Sequence, residues 1–377
     1  MEELSIGQIC SRFSSGRNIK AANIHESGLY PVYGSNGLRG FTDSYNYDGE
    51  CAIVGRQGAY CGNVKYVSGK SYMSEHAIVA KTNPNHNNKY FAYKLSLAKL
   101  GRFSGQAAQP GLSVTKLLRL KFEMPSKQYQ DRIASILSAY DSLIENNTKR
   151  IRLLEKMAEN LYKEWFVRFR FPGYEKVEIK NGLPKGWKHG KLGDIVEFLN
   201  GFAFKSQTFC AEGKYSIVTI KNVRSDGFEG NNTDKVLELP SRIPKHCLLK
   251  EGDILLSLTG NIGRVCRVLG NGYLLNQRVA KLKSKNPLFC YCTFKSDYIY
   301  QSLNVISYGT AQLNLSPVKA SKIKLPIPLL ELLNNFEQIV KPIFAEIDTL
   351  LHQNTLLARR RDLLLPRLMS GKLEVKP

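Results

Sequence analysis

The hexapeptide Ala-Gln-Pro-Gly-Leu-Ser at residues 108–113 returns as Ala-Gln-Leu-Asn-Leu-Ser at residues 311–316. Other segments recur in the same order: Met124-Pro125 as Ile327-Pro328, Ile6-Gly7-Gln8-Ile9 as Leu192-Gly193-Asp194-Ile195, and residues 50–62 as residues 253–263. Further along each half, Asp141 and Asn147 are matched by Asp348 and Asn354. Because the order is shared, we predict a tandem duplication of one large unit and not an array of short solenoid repeats.

The composition indicates a folded, strongly basic protein. The chain has 377 residues, enough for two or three domains, and its 43% hydrophobic content is enough for packed cores. Its 54 Lys and Arg against 32 Asp and Glu give a net charge of +22, which indicates a polyanionic partner, most often nucleic acid. The alternative is a basic surface that only aids solubility.

No sequence feature points to a membrane or to an oxidising compartment. The first residues lack a basic segment followed by an apolar one, and no apolar run reaches the ~18 residues that span a bilayer. The eight cysteines form no Cys-x-x-Cys pair, so a structural zinc site is not indicated. We therefore expect a cytoplasmic protein with reduced thiols.

Each half is predicted to hold a globular domain followed by a long helix. Short apolar runs, such as residues 51–54 and 254–256, are separated by turns rich in Gly and Asn, which indicates mixed α/β domains. The expected fold class is α+β. The predicted segments are a first domain (1–127), a first long helix (128–171), a linker (172–185), a second domain (186–329), and a second long helix with a tail (330–377).

Both helices carry an apolar stripe with the three- and four-residue spacing of a coiled coil. The first stripe has an extra step of four after Asn147, which is typical of a stutter; it consists of Ile136, Tyr140, Leu143, Asn147, Ile151, Leu154, Ala158, Leu161 and Trp165. The second stripe has no such step, and consists of Phe336, Val340, Ile343, Ile347, Leu350, Asn354, Leu357, Arg361, Leu364 and Leu368. Two equivalent stripes predict an antiparallel coiled coil with pseudo-two-fold symmetry.

The asparagine and proline residues of these helices allow specific predictions of their register and ends. Asn147 and Asn354 hold matching seam positions, so we predict that they meet and set the register; the alternative is that both are solvated. Pro342 and Pro366 predict that the second helix begins or kinks near the first proline and frays near the second.

The charge surplus lies on the globular segments. Residues 1–127 contain 16 basic and 8 acidic residues, and residues 172–329 contain 23 and 12, whereas both helices are nearly neutral. Basic domains rich in Arg, Asn and Gln suit phosphates and base edges. Two such domains on a long spacer predict the reading of two separated DNA sites.

The candidate DNA-binding residues are polar side chains in the glycine-rich loops that match between the halves. They are Arg56, Gln57, Tyr60, Lys65, Ser74, His76, Arg102, Ser104, Gln106, Gln109, Thr259, Asn261, Arg264, Asn276, Gln277, Arg278, Tyr308, Thr310, Gln312 and Asn314. Arg suits guanine and Asn or Gln suits adenine, so Arg56 and Arg278 are the first choices as base readers. The expected phosphate neutralisers are Lys65, Lys70, Lys205, Lys221 and Lys283.

No catalytic motif stands out. Asn286-Pro287-Leu288-Phe289 lacks the second proline of the Asn-Pro-Pro-Phe tetrapeptide of adenine methyltransferases, and Gly69-Lys70-Ser71 lacks the first glycine of a P-loop. The histidines form no metal-binding pair. We expect no active site, metal or cofactor in this chain. The alternatives are a stand-alone nucleic-acid-modifying enzyme and a coiled-coil architectural nucleic-acid-binding protein.

The whole layout resembles the specificity subunit of type I restriction–modification systems. The segments that carry the resemblance are the duplicated domain–helix plan, Leu183-Pro184-Lys185-Gly186-Trp187-Lys188, Gly260-Asn261-Ile262-Gly263, Asn276-Gln277-Arg278-Val279 and residues 309–316. One departure is that the first domain begins at Leu4-Ser5-Ile6-Gly7 without such a lead-in. Its opening strand is therefore expected to be short or supplied by a partner.

The resemblance implies a fold and a set of partners. It implies two target recognition domains separated by an antiparallel coiled coil, each reading one half of a split site in double-stranded DNA. It also implies two methyltransferase subunits that bring S-adenosylmethionine, and motor–nuclease subunits that bring ATP and Mg²⁺. Catalysis would then belong to those partners.

Overall fold

The structure is a computed structural model that describes residues 2–105, 110–231, 233–307 and 313–375. The chain divides into a first unit, residues 1–145 with 355–377, and a second unit, residues 146–354. The two units repeat one order of strands and helices, and each includes parts of two long helices. The α+β fold class is thereby confirmed.

The first unit is built on an antiparallel sheet of order β2-β8-β5-β6, beside a three-stranded sheet β4-β3-β7 and the pair β1-β9. Its helices are α1 (Ile6–Ile9), α2 (Asn88–Leu97), α3 (Val114–Leu118) and the beginning of α4 (Lys127–Tyr162). Its strands are β1 (Glu2–Ser5), β2 (Cys10–Ser15), β3 (Tyr30–Gly34), β4 (Gly37–Thr42), β5 (Cys51–Gly55), β6 (Val64–Val67), β7 (Tyr72–Met73), β8 (Ala77–Thr82) and β9 (Lys121–Met124).

The second unit repeats this plan as the sheets β13-β22-β19-β20 and β17-β14-β21-β18 and the pair β12-β23, with two added hairpins. Its helices are α5 (Pro287–Lys295), α6 (Asp297–Val305), α7 (Pro317–Ala320) and most of α8 (Leu330–Met369). Its strands are β10 (Ile179–Lys180), β11 (Leu183–Pro184), β12 (Lys188–Lys191), β13 (Glu197–Asn200), β14 (Tyr215–Val218), β15 (Val223–Arg224), β16 (Gly227–Phe228), β17 (Lys235–Val236), β18 (Leu248–Leu249), β19 (Ile254–Ser257), β20 (Val265–Arg267), β21 (Tyr273–Leu275), β22 (Val279–Lys283) and β23 (Lys324–Ile327).

The opening strand of the first domain is neither short nor missing. β1 has four residues, as β12 does, and pairs with β9 antiparallel from Glu2 opposite Met124 to Ser5 opposite Lys121. Ser5 then caps α1, because its hydroxyl accepts a hydrogen bond from the Gln8 amide. The expectation of a strand supplied by a partner is therefore wrong.

The first long helix ends earlier than the sequence predicts. α4 stops at Tyr162, a π-helical turn continues to Val167, and Phe169 then takes a left-handed φ of 59°. A residue in that conformation terminates a helix. Trp165 and Phe166 of the π-helical turn are buried against the second domain, so packing fixes this ending.

The heptad seam of α4 runs without a stutter, and the assignment of Leu143 to the seam is wrong. Leu143 is 50% exposed, whereas Leu137 is fully buried and Ile144 is half-buried. With Leu137 in place of Ile136, which is 37% exposed, and Ile144 in place of Leu143, the steps of three and four alternate regularly to Trp165, as one helical face requires. The other proposed seam residues are buried or half-buried, namely Tyr140, Asn147, Leu154, Leu161, Ile347, Leu350, Asn354, Leu357 and Leu364.

Proline does not interrupt the second long helix. α8 is continuous for 40 residues and passes Pro342, so the predicted start near that proline is wrong, and the helix ends at Met369, three residues after Pro366. Both prolines are exposed. Their rings and the carbonyl groups that they leave unpaired therefore face solvent, where water satisfies the backbone.

Within each unit the two long helices run antiparallel. In the second unit Arg150 contacts Glu346 at 2.7 Å, and the Asn147 amide donates to Gln353 at 3.3 Å. In the first unit Arg361 contacts Asp141 at 2.6 Å.

The two seam asparagines are neighbours across the helices. The Asn147 side chain reaches Gln353, and the Asn354 amide donates to the Thr148 hydroxyl at 3.4 Å. Each asparagine therefore bonds a residue adjacent to the other. A polar pair inside an apolar seam is the arrangement that fixes helix register.

We expect the stability of the first unit to fall below neutral pH because of His86. Its Nδ1 lies 3.0 Å from the side-chain amide of the fully buried Gln130, and burial lowers the pKa of His86 from its ordinary value of 6.5. The unfolded chain therefore takes up the proton first, so the free energy of unfolding decreases as the pH falls below about 6.5. Denaturant unfolding between pH 8 and 5 measures this, and identical pH profiles for wild type and His86→Gln would contradict it.

Candidate DNA interface

In the first unit, several loops meet where β5 ends and β8 begins. The Arg56 amide donates to the His76 carbonyl at 2.9 Å, and the Arg56 carbonyl accepts from the Leu112 amide at 2.9 Å. The Ser35 hydroxyl, in the turn between β3 and β4, donates to the His76 carbonyl and accepts from the Gln57 amide. Backbone bonds thus hold three separate polar loops at one edge of the domain.

The second unit repeats the two backbone bonds of this edge. The Leu258 amide donates to the Arg278 carbonyl at 3.1 Å, and the Leu258 carbonyl accepts from the Leu315 amide at 2.8 Å. Thr259 forms an isolated antiparallel β-bridge with Asn314, as Gln57 does with Gly111. Leu258 and Arg278 therefore occupy the positions of Arg56 and His76. Each domain has one arginine in this hydrogen-bonded pair of residues. In the first domain it is Arg56, which follows β5, and in the second it is Arg278, which precedes β22, the counterpart of β8.

The structure exposes or half-exposes most of the candidate residues at these edges. Arg56 is partly held by the Ser15 hydroxyl at 3.1 Å. The exposed or half-exposed candidates are Arg56, Gln57, Tyr60, Lys65, His76, Arg102, Ser104, Asn261, Arg264, Asn276, Gln277, Arg278 and Asn314. Gln106, Gln109, Tyr308, Thr310 and Gln312 lie outside the described residues.

Three assignments need correction. Ser74 is fully buried and its hydroxyl accepts from the His76 amide at 3.4 Å, so it shapes the turn instead of facing a ligand. Thr259 is 7% exposed, with its hydroxyl oxygen buried, because its side chain points into the domain. Lys283 lies at the far end of β22 from Arg278 and pairs with Glu197 at 3.0 Å, so it does not belong to this edge. The other proposed phosphate lysines are exposed, namely Lys65, Lys70, Lys205 and Lys221.

Sequence reasoning missed Glu75. One carboxylate oxygen lies 3.1 Å from the His76 ring, and the other is buried with no hydrogen-bond partner among the described residues. A carboxylate at a DNA-facing edge accepts from the amino group of cytosine. Glu75 lies between the candidates Ser74 and His76, and this position could have identified it. It was left out because acidic side chains were not among the residue types chosen as candidates.

The tetrapeptide at Asn286 has a packing role. The Asn286 amide donates to Asn334 of α8 at 3.1 Å, and the Phe289 amide donates to Glu337 at 2.8 Å. Burial raises the pKa of the Glu337 carboxyl, and the bonds from backbone amides oppose that rise. These contacts attach α5 to the long helix.

The described residues offer little for metal or thiol chemistry. No group of three or more His, Cys, Asp and Glu side chains among them is placed to hold a metal ion. Burial raises the pKa of Cys51 to about 11 and that of Cys266 to about 12, so both remain protonated thiols. Within the same described ranges, no helix has the length and apolar character needed to cross a membrane.

Similarity to known proteins falls on one family. The model of the type I restriction modification DNA specificity domain matches residues 1–156 and 184–358. The EcoprrI specificity subunit of Escherichia coli is 38% identical over 41% of this chain, and the alignment spans 40% of that subunit. The MjaIX specificity subunit of Methanocaldococcus jannaschii is 30% identical over 76% of this chain and 69% of its own length.

A solved structure shares the fold. The S subunit of a type I restriction–modification system from M. genitalium matches with a TM-score of 0.60 at 18% identity, covering 97% of this chain and 95% of that one. The two family matches fall on the two halves of the sequence repeat and together take in most of the chain. This chain therefore belongs to the type I restriction–modification DNA specificity family.

Proposed function

We propose that this chain is the non-catalytic DNA-recognition subunit of a type I restriction–modification complex, with each domain reading one half of a bipartite site. The observation that carries the proposal is the edge repeated in both units, where the same backbone bonds present Arg56 with His76 and Leu258 with Arg278. Guanidinium and amide side chains on such loops can bond base edges in a major groove. The basic charge of both domains supplies the sequence-independent attraction to phosphates.

The long helices act as the spacer between the two half-sites in this proposal. α4 and α8 have 36 and 40 residues, so α8 is about 60 Å long at 1.5 Å per residue. That length exceeds one ~34 Å turn of DNA, which is the separation of neighbouring major-groove sites on one face.

Methyltransferase subunits are the proposed occupants of the outer faces of the helices. Leu153 is 71% exposed and Met157 is 58% exposed on α4, while Leu356 and Leu363 are 55% and 57% exposed on α8. Exposed apolar side chains on nearly neutral helices suit protein contacts. The partners would bring S-adenosylmethionine, and motor–nuclease subunits would bring ATP and Mg²⁺.

The test is to express the chain with the methyltransferase subunit of its own system and to sequence the methylated adenines. We expect one DNA motif of two specified parts separated by unspecified bases. The methyltransferase expressed alone is the control, and should leave that motif unmethylated. A continuous motif, or no methylation that depends on this chain, would contradict the proposal.

A further inference from the structure

The first unit contains a basic cleft beside the proposed reading edge, and Ser35 belongs to both. It has a volume of about 690 Å³ and lies between the turn joining β3 and β4, the strands β5 and β6, and the turn at residues 99–102. Lys65, Lys99 and Arg102 line it, and among the described residues no carboxylate does. Three cations without a counter-charge make the cleft a site for an anion.

The backbone around the cleft is held in unusual conformations. Lys99 has a left-handed φ of 47°, which is costly for a residue with a Cβ. Gly62 has a φ of 86°, and a Cβ there would lie 2.1 Å from the Gly101 nitrogen. The loop of Gly62 therefore packs directly on the turn that carries Lys99 and Arg102, and this contact fixes the cations at the wall of the cleft.

The second unit fills the equivalent place. Lys65 pairs with Ile53 across β5 and β6, and Cys266 pairs with Leu255 at the same register of β19 and β20. Cys266 is fully buried, because the added hairpin β15–β16, which follows β14, packs on β19 and β20. In the first unit a short turn joins β3 directly to β4, and the described residues there include no such hairpin, so this surface stays open. Across the described parts of both units, the cleft is a property of the first domain alone.

We propose that this cleft binds a backbone phosphate of DNA beside the half-site of the first domain. The inference rests on the proposed function and deepens it, because it assigns to Lys65, Lys99 and Arg102 the role of anchoring DNA and not of reading bases. A phosphodiester fits a wide cleft with several cations, and contacts of this kind set position and affinity without sequence information. A free nucleotide shares the phosphate chemistry, so the test includes it.

The test uses the complex of this chain with its methyltransferase subunits. Its affinity is measured for DNA duplexes that contain the recognised motif and for duplexes that lack it, at several salt concentrations. The variants are Lys65→Gln, Lys99→Gly and Arg102→Gln, singly and together. Lys99→Gly also relieves the left-handed strain, so its effect on binding is not attributable to a weakened fold. Lys116→Gln, an exposed change in α3 outside the cleft, is the matched control.

We expect each cleft variant to weaken binding to both duplexes by a similar factor. The magnitude of the slope of log K for DNA binding against log salt concentration should fall by about 0.9 for each phosphate that the variant no longer neutralises. The DNA motif that the complex methylates should stay the same. An unchanged slope in the triple variant, or a changed motif, would overturn the inference alone. Saturable binding of ATP that Lys99→Gly abolishes, with DNA binding unaffected, would also overturn it. A wild-type complex that binds no DNA would overturn the proposed function as well.

Discussion

Replacing Phe336 by alanine is expected to lower the free energy of unfolding of the second unit by about 3–5 kcal/mol. Phe336 is fully buried, and the ring centroids of Tyr162, Trp165, Phe166 and Phe289 lie 5.0–6.4 Å from its own. Truncation removes the aromatic ring at the centre of this cluster and leaves a cavity. Because these rings come from both long helices and from α5, the surroundings cannot close around the gap cheaply.

Denaturant unfolding followed by tryptophan fluorescence measures this destabilisation, since Trp165 lies in the cluster. Ile339→Ala is the matched control, because Ile339 is on the same helix and is 45% exposed. Its truncation should change the free energy of unfolding by much less than that of Phe336. Equal unfolding midpoints for the two variants would show that the cluster does not join the helices to the domain.

Replacing Arg278 by alanine is expected to lower methylation of the DNA motif about tenfold or more and to relax one specified base pair in one half of it. Arg278 is exposed at the start of β22, and its carbonyl is fixed by the Leu258 amide. A bidentate guanidinium contact with guanine discriminates by about 1–3 kcal/mol, which accounts for this factor. Removing one base-reading side chain leaves the phosphate contacts in place, so DNA binding without sequence preference should persist.

Sequencing of methylated adenines in cells that carry each variant gives the readout. Lys283→Gln is the control, because Lys283 lies at the other end of the same strand and pairs with Glu197. That variant should methylate the wild-type motif. If Arg278→Ala also keeps both the level and the motif of methylation, Arg278 is not a base reader.

The fold was largely predictable because the sequence contains an internal duplication, so each motif is seen in two copies. Matching motifs in a common order identify the duplication, and periodic apolar residues identify two long helices. The register of α4 was not predictable in the same way, since Leu143 and Ile144 are adjacent and equally apolar, and only burial separates them. The predicted helix start at Pro342 failed because a helix tolerates proline on its solvent side once packing holds the opposite face.

The candidate interface was less predictable because distant loops build it. Glycine-rich segments pointed to the two repeated edges, but the burial of Ser74 and Thr259 depends on backbone turns that the residue types do not reveal. The basic cleft depends on the lack of a covering hairpin in the described part of one half and on the unusual φ of Lys99. Neither property has a signature in composition or spacing. Gln106, Gln109, Tyr308, Thr310 and Gln312 remain predictions.

The opposite placement of the two arginines has a consequence for re-engineering. Arg56 and Arg278 sit on different members of one backbone pair, with His76 and Leu258 opposite them. Substituting a single residue of one half by the residue at the matching position of the other half would therefore place the arginine on the strand that does not carry it in the recipient domain. Exchange of target preference between the halves should instead transplant the loop ends of β5, β8 and the segment at Leu112 together, as one cassette.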